Sequence, residues 1–275
     1  LKVHRIPQAG RTSKGQPIVN LIQIQPGDKV HAVVPVREFS DDSYLAFATN
    51  LGIVKRTPLT DFSRPRQAGI RAINLLEGEH LVAVRETDGD SDIIFASSSG
   101  LAIRFHESDV RSMGRTARGV RGIALGEGEQ VVGMVVVSPE NQDASLLSLT
   151  ANGYGKRTPL EDYRIQKRGG KGLITIKCSE RNGPLLGIRD THPGEELMVI
   201  TRNGIMIRIT QDSVSQQGRN TQGVRIINLK DGDLVGSFTK ISLAAVAGIE
   251  NGSEDEEEAP AGPETTADPD VENED

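Results

Sequence analysis

Five stretches of this sequence pair glycine with arginine or lysine: "AGRTSKGQPIVNL", "SRPRQAGIRAINL", "SMGRTARGVRGIAL", "QKRGGKGLITIK" and "QQGRNTQGVRIINL". A glycine backbone lacks a Cβ, so it can approach an oxyanion closely and present its N–H groups. Arginine adds a planar fork of donors, and lysine a mobile point charge. Together these groups bind phosphate oxygens and read no base. One such loop is an ordinary solvated turn. Five of the same sign, each at the same place in a repeat, describe a cationic rim suited to a polyanion. The candidate contacts are Arg11 and Lys14; Arg64, Arg66 and Arg71; Arg115, Arg118 and Arg121; Gln166, Lys167, Arg168, Gly169, Gly170, Lys171 and Gly172; and Arg219 and Arg225. The fourth loop is not a nucleotide-cradling P-loop, because glycine stands where Ser or Thr would hold magnesium and a strand pattern follows instead of a helix.

Other chemistry finds little support. His4, His31, His80, His106 and His192 have no ligand spacing with one another or with Cys178, so no metal site is expected. The recurring carboxylates follow turn glycines, as in "PGDKV", "EGEHL" and "DGDLV", which suits a turn better than a catalytic pair. Tyr44, Tyr154 and Tyr163 fall on strand patterns and are expected to pack. Cys178 is the single cysteine, which excludes an internal disulfide and favours a cytoplasmic setting. No run approaches the roughly 18 apolar residues of a membrane span. Aromatic residues make up 3% of the chain and none lies in a basic loop, whereas single-strand binders rely on stacking platforms. Duplex nucleic acid held by its backbone is the better fit.

The loops are positioned by a repeat. Hairpin turns at Gly52, Gly100, Gly153 and Gly204 recur at intervals of 48, 53 and 51, and the last loop glycines Gly15, Gly69, Gly119, Gly172 and Gly223 at 54, 50, 53 and 51. Apolar residues alternate around each hairpin turn, and no 3.6-residue stripe is sustained. A period near fifty with about four short strands per unit reads as one blade of a propeller-like all-β array. The leading unit lacks its hairpin. With an opening at Leu1 and no methionine, this leads us to expect a piece of a longer protein, its first blade incomplete.

Charge is divided along the chain. Residues 250–275 hold twelve of the 38 acidic residues and no basic ones, which leaves 26 acids against 32 bases in the body. We expect two parts: a β domain over 1–245 and a disordered acidic tail over 246–275. Such a tethered string can compete with an external polyanion for the basic loops.

The loop series, with "ANGYGKRTPL" between its members, resembles the C-terminal domain of the bacterial DNA gyrase A subunit over about residues 1–240. Gln166 to Gly172 matches that family's box (Gln, basic, Arg, Gly, Gly, basic, Gly) at every position. The resemblance implies a six-bladed β-pinwheel that wraps duplex DNA around its outer edge. The strict box belongs to the first blade of the family, so a further copy upstream of Leu1 is implied. The parent enzyme implied is a cytoplasmic topoisomerase that introduces negative supercoils. For it the resemblance implies magnesium, a second A subunit, and the ATP-hydrolysing gyrase B subunit. No catalytic residue and no cofactor are expected in this stretch. The alternatives are the matching domain of topoisomerase IV, with its degraded boxes, and a propeller that binds proteins.

Overall fold

A computed structural model describes residues 1–243 apart from Arg11, Pro26, Gln67 and Gln142. The candidate contact Arg11, the 245/246 boundary and the acidic tail therefore lie outside the described residues. Fifteen strands follow in chain order among them: β1 (Tyr44–Thr49), β2 (Ile53–Pro58), β3 (Leu81–Thr87), β4 (Asp92–Ser97), β5 (Leu101–His106), β6 (Val120–Arg121), β7 (Val131–Val137) and β8 (Ser145–Thr150). They continue with β9 (Tyr154–Pro159), β10 (Leu173–Ile174), β11 (Leu185–Thr191), β12 (Glu196–Thr201), β13 (Met206–Thr210), β14 (Val224–Arg225) and β15 (Val235–Ile241). Short 3-10 turns are the only helical elements described, and none is long or apolar enough to cross a membrane.

The strands form four antiparallel sheets, ordered β3-β1-β2-β6, β7-β4-β5-β10, β11-β8-β9-β14 and β15-β12-β13. The expected all-β bladed repeat is therefore observed, with one refinement. Four strands per unit were expected to make one blade, but a unit gives only three of them to its own sheet. Its two-residue strand, just after the basic loop, pairs with the second hairpin strand of the preceding blade: Val120 with Val54, Leu173 with Ala102, Val224 with Gly155. The leading segment agrees with this rule. Residues 29–36 stand where β3 stands in the next unit, but no hairpin precedes them in this chain, and they form no strand.

Burial follows from the stacking of blades. β4 reads DIIFAS and is buried at every position, because its Ile93 and Phe95 pack against the first blade and its Ile94 and Ala96 against the third. A strand covered on both faces loses the alternation of a half-exposed one. Phe95 meets Phe105 edge to face at 5.8 Å in the first of these interfaces. Leu147 and Leu149 carry the pattern on toward Leu197 and Phe238 of the last blade. The outer face of the first blade, through Leu45, Phe47 and Leu59, packs on Val34 and Val36 of the leading segment.

Glycine makes the strand donation possible. Gly172 has φ +83°, and a Cβ there would lie 2.4 Å from the carbonyl oxygen of Ala102. Gly119 and Gly223 sit in the same way against Val54 and Gly155, while the equivalent Gly69 has φ +78° but nothing within 4 Å. Substituting Gly69→Ala is therefore expected to cost only the left-handed conformation, about 1 kcal/mol. Gly172→Ala adds a backbone clash and is expected to cost about 2 kcal/mol or more. Urea unfolding midpoints of the two variants check the ordering; equal losses would show that the close approach carries no weight.

Candidate nucleic-acid interface

Each described basic loop of the last three is attached at both ends to the hairpin of the preceding blade. The third loop enters with Met113 N–H donating to Arg56 O at 2.9 Å and leaves as β6 on β2. The fourth enters with Gln166 N–H on Arg104 O at 2.8 Å and leaves as β10 on β5. The fifth enters with Gln217 N–H on Arg157 O at 2.9 Å and leaves as β14 on β9.

Adjacent loops are also bonded to one another. Asn74 N–H donates to Ala117 O (3.3 Å), joining the second loop to the third. Gly169 N–H donates to Gly122 O (2.6 Å) and Ala124 N–H to Gly170 O (2.9 Å), joining third to fourth. Lys177 N–H reaches Thr221 O (2.8 Å), and the Arg219 guanidinium reaches Ile174 O (3.3 Å), joining fourth to fifth. The structure thus brings four of the five loops into one continuous band along the blade edges, and their stretches contain no acidic residue. Exposed Lys14 lies in the leading segment, where no strand pairing ties it to the band.

The cationic side chains divide into two groups. Arg64, Arg66 and Arg71 share an open cleft with Arg115. Lys167 is 91% exposed and touches Asp109 at 3.0 Å; Lys171 and Arg121 are exposed as well. Others hold the protein together. Arg168 donates to Asp109 O (2.8 Å) and to Arg121 O (3.0 Å), so it clips its loop to the one before. Arg118 faces the buried Glu79 at 3.4 Å, and Arg225 lies on Tyr154. The glycines divide similarly. Gly172 is bare because Ala102 crowds it, and the Gly169 amide is already engaged; a Cβ on Gly170 would make only ordinary contacts, with Ile103 Cδ1 at 3.5 Å and Lys167 O at 3.8 Å. The Gln166 side-chain nitrogen is buried with no hydrogen-bond partner among the described residues.

Two positioning residues escaped sequence reasoning, although the repeated "KRTPL" of the first and third hairpins held the signal. Lys55 is fully buried and its ammonium donates to Ala72 O and, at 2.6 Å, to Arg115 O, bridging two loops. Lys156, equally buried, donates to Gly218 O, to Arg219 O at 2.6 Å and to Thr221 Oγ1 at 3.0 Å. Loop carbonyls, which would repel a polyanion, are thereby turned inward onto a cation. The second hairpin has Ile103 at this position and holds the fourth loop by main-chain bonds and packing instead. Of the three tyrosines, Tyr163 is buried as expected, its hydroxyl 2.5 Å from Thr175 Oγ1, and burial pushes it up to about 12. Burial also raises the Cys178 thiol, which packs against the interface between the second and third blades. The turn carboxylates act as turn closers: Glu79 accepts from Leu76 N at 3.0 Å and Thr49 Oγ1 at 2.7 Å. Among the described residues no cluster of His, Cys, Asp or Glu is arranged to hold a metal.

A bladed all-β array with a continuous cationic edge defines a propeller-type binding module. The profile of one family, described as "DNA gyrase C-terminal domain, beta-propeller", matches residues 1–37, 43–88, 91–138, 144–189 and 195–238, and the chain belongs to that family. Relatives include the DNA gyrase A subunit of Staphylococcus epidermidis, 44% identical over 243 residues, and that of Staphylococcus aureus, 43% identical over 242. In both cases the match covers 88% of this chain and 27% of the relative, so the chain spans about a quarter of their length. A solved DNA gyrase A C-terminal domain superposes with TM-score 0.74 at 28% identity, covering 84% of this chain and 76% of that one. The C-terminal domain of DNA topoisomerase IV superposes with TM-score 0.81 at 24% identity (91% and 79% covered), a likeness of fold. The resemblance carried by the loops is borne out.

Burial lowers the Lys55 and Lys156 ammonium groups to about 8; at Lys55 Asp61 opposes this and Arg115 adds to it, and at Lys156 Arg219 adds to it. Their unfolded values stand near 10.4. Between those limits the unfolded chain binds more protons, so this contribution to stability rises as pH increases from about 8 to about 10. Lys156→Met should remove its share. Urea unfolding of wild type and variant across that window is expected to show a wild-type gain that the variant lacks; parallel profiles would contradict the assignment.

Proposed function

We propose that this chain binds duplex DNA along the band of basic loops, through phosphate contacts that do not depend on sequence, and wraps it around the blade edges. The observation that carries the reading is the continuous band formed by the second to fifth loops, whose own stretches hold no acidic residue. Each loop offers exposed cations at a blade edge, and successive blades repeat them, so a stiff polyanion can pass from one to the next. A duplex held this way is bent and follows the path of the blades; a path of fixed hand traps writhe of one sign. The proposed contacts are those named from the sequence: Arg11, Lys14, Arg64, Arg66, Arg71, Arg115, Arg118, Arg121, Gln166 to Gly172, Arg219 and Arg225. Lys167, Lys171, Arg121 and the Arg64–Arg115 cleft are the members freest to reach phosphate.

In the parent protein we assign this binding to DNA gyrase, a cytoplasmic type II topoisomerase, as the step that directs ATP-dependent negative supercoiling. The gyrase name of the relatives at 44% and 43% identity favours it over topoisomerase IV. ATP and magnesium, with the gyrase B subunit beside a second A subunit, would then act through parts of the enzyme beyond this domain.

If each of five loops neutralises about two phosphates, log K should fall against log salt with a slope of about -9, and unrelated duplexes of equal length should bind alike. Replacing Lys167 and Lys171 together by alanine should make the slope shallower by about 2 while leaving the unfolding midpoint unchanged. Sealing relaxed circles with ligase in the presence of the domain reads the sign of the wrap. A slope shallower than about -3, or no change in linking number, would sink the proposal.

A further inference from the structure

Arg225 of β14 lies opposite Tyr154 of β9 at the outer edge of the third blade. The equivalent pairs in the first two blades are Ile53 with Arg121 and Leu101 with Ile174, so neither has a phenol. The Arg225 guanidinium stands 5.4 Å from the Tyr154 ring centroid and donates to the phenol oxygen at 2.9 Å. Arg181 approaches the same ring at 5.0 Å and donates to the same oxygen at 3.4 Å. Both arginines are exposed, and Tyr154 beneath them is 5% exposed.

Arg181 comes from a turn unlike its counterparts. The other units close this turn with a carboxylate after the glycine, whereas here "SERNGPL" puts Pro184 after Gly183. Asn182 does the closing, its Oδ1 accepting from Ser179 N at 2.8 Å and Ser179 Oγ at 3.0 Å. Proline replaces the carboxylate after the glycine, and the turn presents the exposed Arg181 next to the exposed Glu180. Among the described residues neither Arg181 nor Arg225 has a carboxylate within ion-pair distance. The crowding of cations registers on the phenol, which is held below its ordinary value, chiefly by the Arg225 hydrogen bond and next by that of Arg181.

We propose that Arg181 and Arg225, held as a fork on Tyr154, bind one phosphodiester group of a nucleic-acid backbone beside the fifth loop. This rests on the reading of the basic band under Proposed function and adds Arg181, which lies outside the five loops, to it. Two like charges meeting on one oxygen repel each other, and a shared anion between them removes that repulsion. Each guanidinium has five N–H donors and spends only one or two here, leaving others to face outward. Stacking on the ring limits the freedom of both side chains, so less entropy is lost on binding.

The test uses the full chain, a mixed-sequence duplex, and the variants Arg181→Ala, Arg181→Lys and Tyr154→Phe. Arg181→Ala is expected to make the salt slope shallower by about 0.9, one phosphate contact, and to weaken binding several-fold at low salt. Arg181→Lys should keep the slope, and Tyr154→Phe should keep the slope with weaker binding. A wild-type slope and affinity in Arg181→Ala, beside a steep wild-type slope, overturns the fork and leaves the band standing. A shallow slope in the wild type itself counts against the band. In the control arm, phosphate replaces chloride at equal ionic strength. If phosphate weakens the wild type but not Arg181→Ala, free phosphate and the backbone compete for the fork, as proposed; equal weakening of both counts against the fork.

Discussion

The pairing of a two-residue strand with the hairpin of the preceding blade is the interaction on which the rest of this structure depends. It converts a linear repeat into a continuous array, because the edge of each of the first three blades is completed by residues about seventy positions away, as with Gly52 and Gly122. It also anchors the exit of the third, fourth and fifth basic loops, whose entrances are bonded to the same hairpin strands. The glycine at the junction is the condition for both. A side chain at Gly119, Gly172 or Gly223 would occupy the space of the neighbouring backbone, so the donated strand could not close. The blade edge and the cationic rim are thus one construction.

Charge is handled by separation in depth. The loop stretches of the band carry lysine and arginine and no acids. Beneath it, buried ammonium groups of Lys55 and Lys156 gather the loop carbonyls. Burying a charge is costly unless it is well bonded, and here two or three oxygens receive each one. The arginine after each of these hairpin positions meets an acid instead: Arg56 with Glu107, Arg104 with Asp92, Arg157 with Asp212 and Arg208 with Glu196. Glu107 further accepts from Thr87, Gly89 and Ser91, tying the first two blades together. Glu107 and Asp92 are thus spent inside the array and between blades, and the formal charge of -6 reflects the twelve acids of residues 250–275 against a basic body.

Much of this was legible in the sequence. Turn glycines at a fixed period, alternating hairpins and the absence of a helical stripe determined an all-β bladed repeat, since these are local consequences of backbone geometry. The sign and recurrence of the loop charges pointed to a polyanion for the same reason: each loop carries its own signal. Which unit each short strand completes was not legible, because "GVR" or "GLI" pairs equally well in principle with any free strand edge. Only packing of whole blades selects the preceding hairpin. Nor could the sequence separate the arginines that reach outward from those that brace the fold. Arg168 and Lys167 are neighbours of like charge, yet Arg168 finds two carbonyls and Lys167 stands in solvent. The meeting of Arg181 with Arg225 across 44 positions was likewise decided by tertiary structure. Periodicity is written residue by residue, whereas the partner of a side chain depends on what distant segments the folded backbone brings beside it.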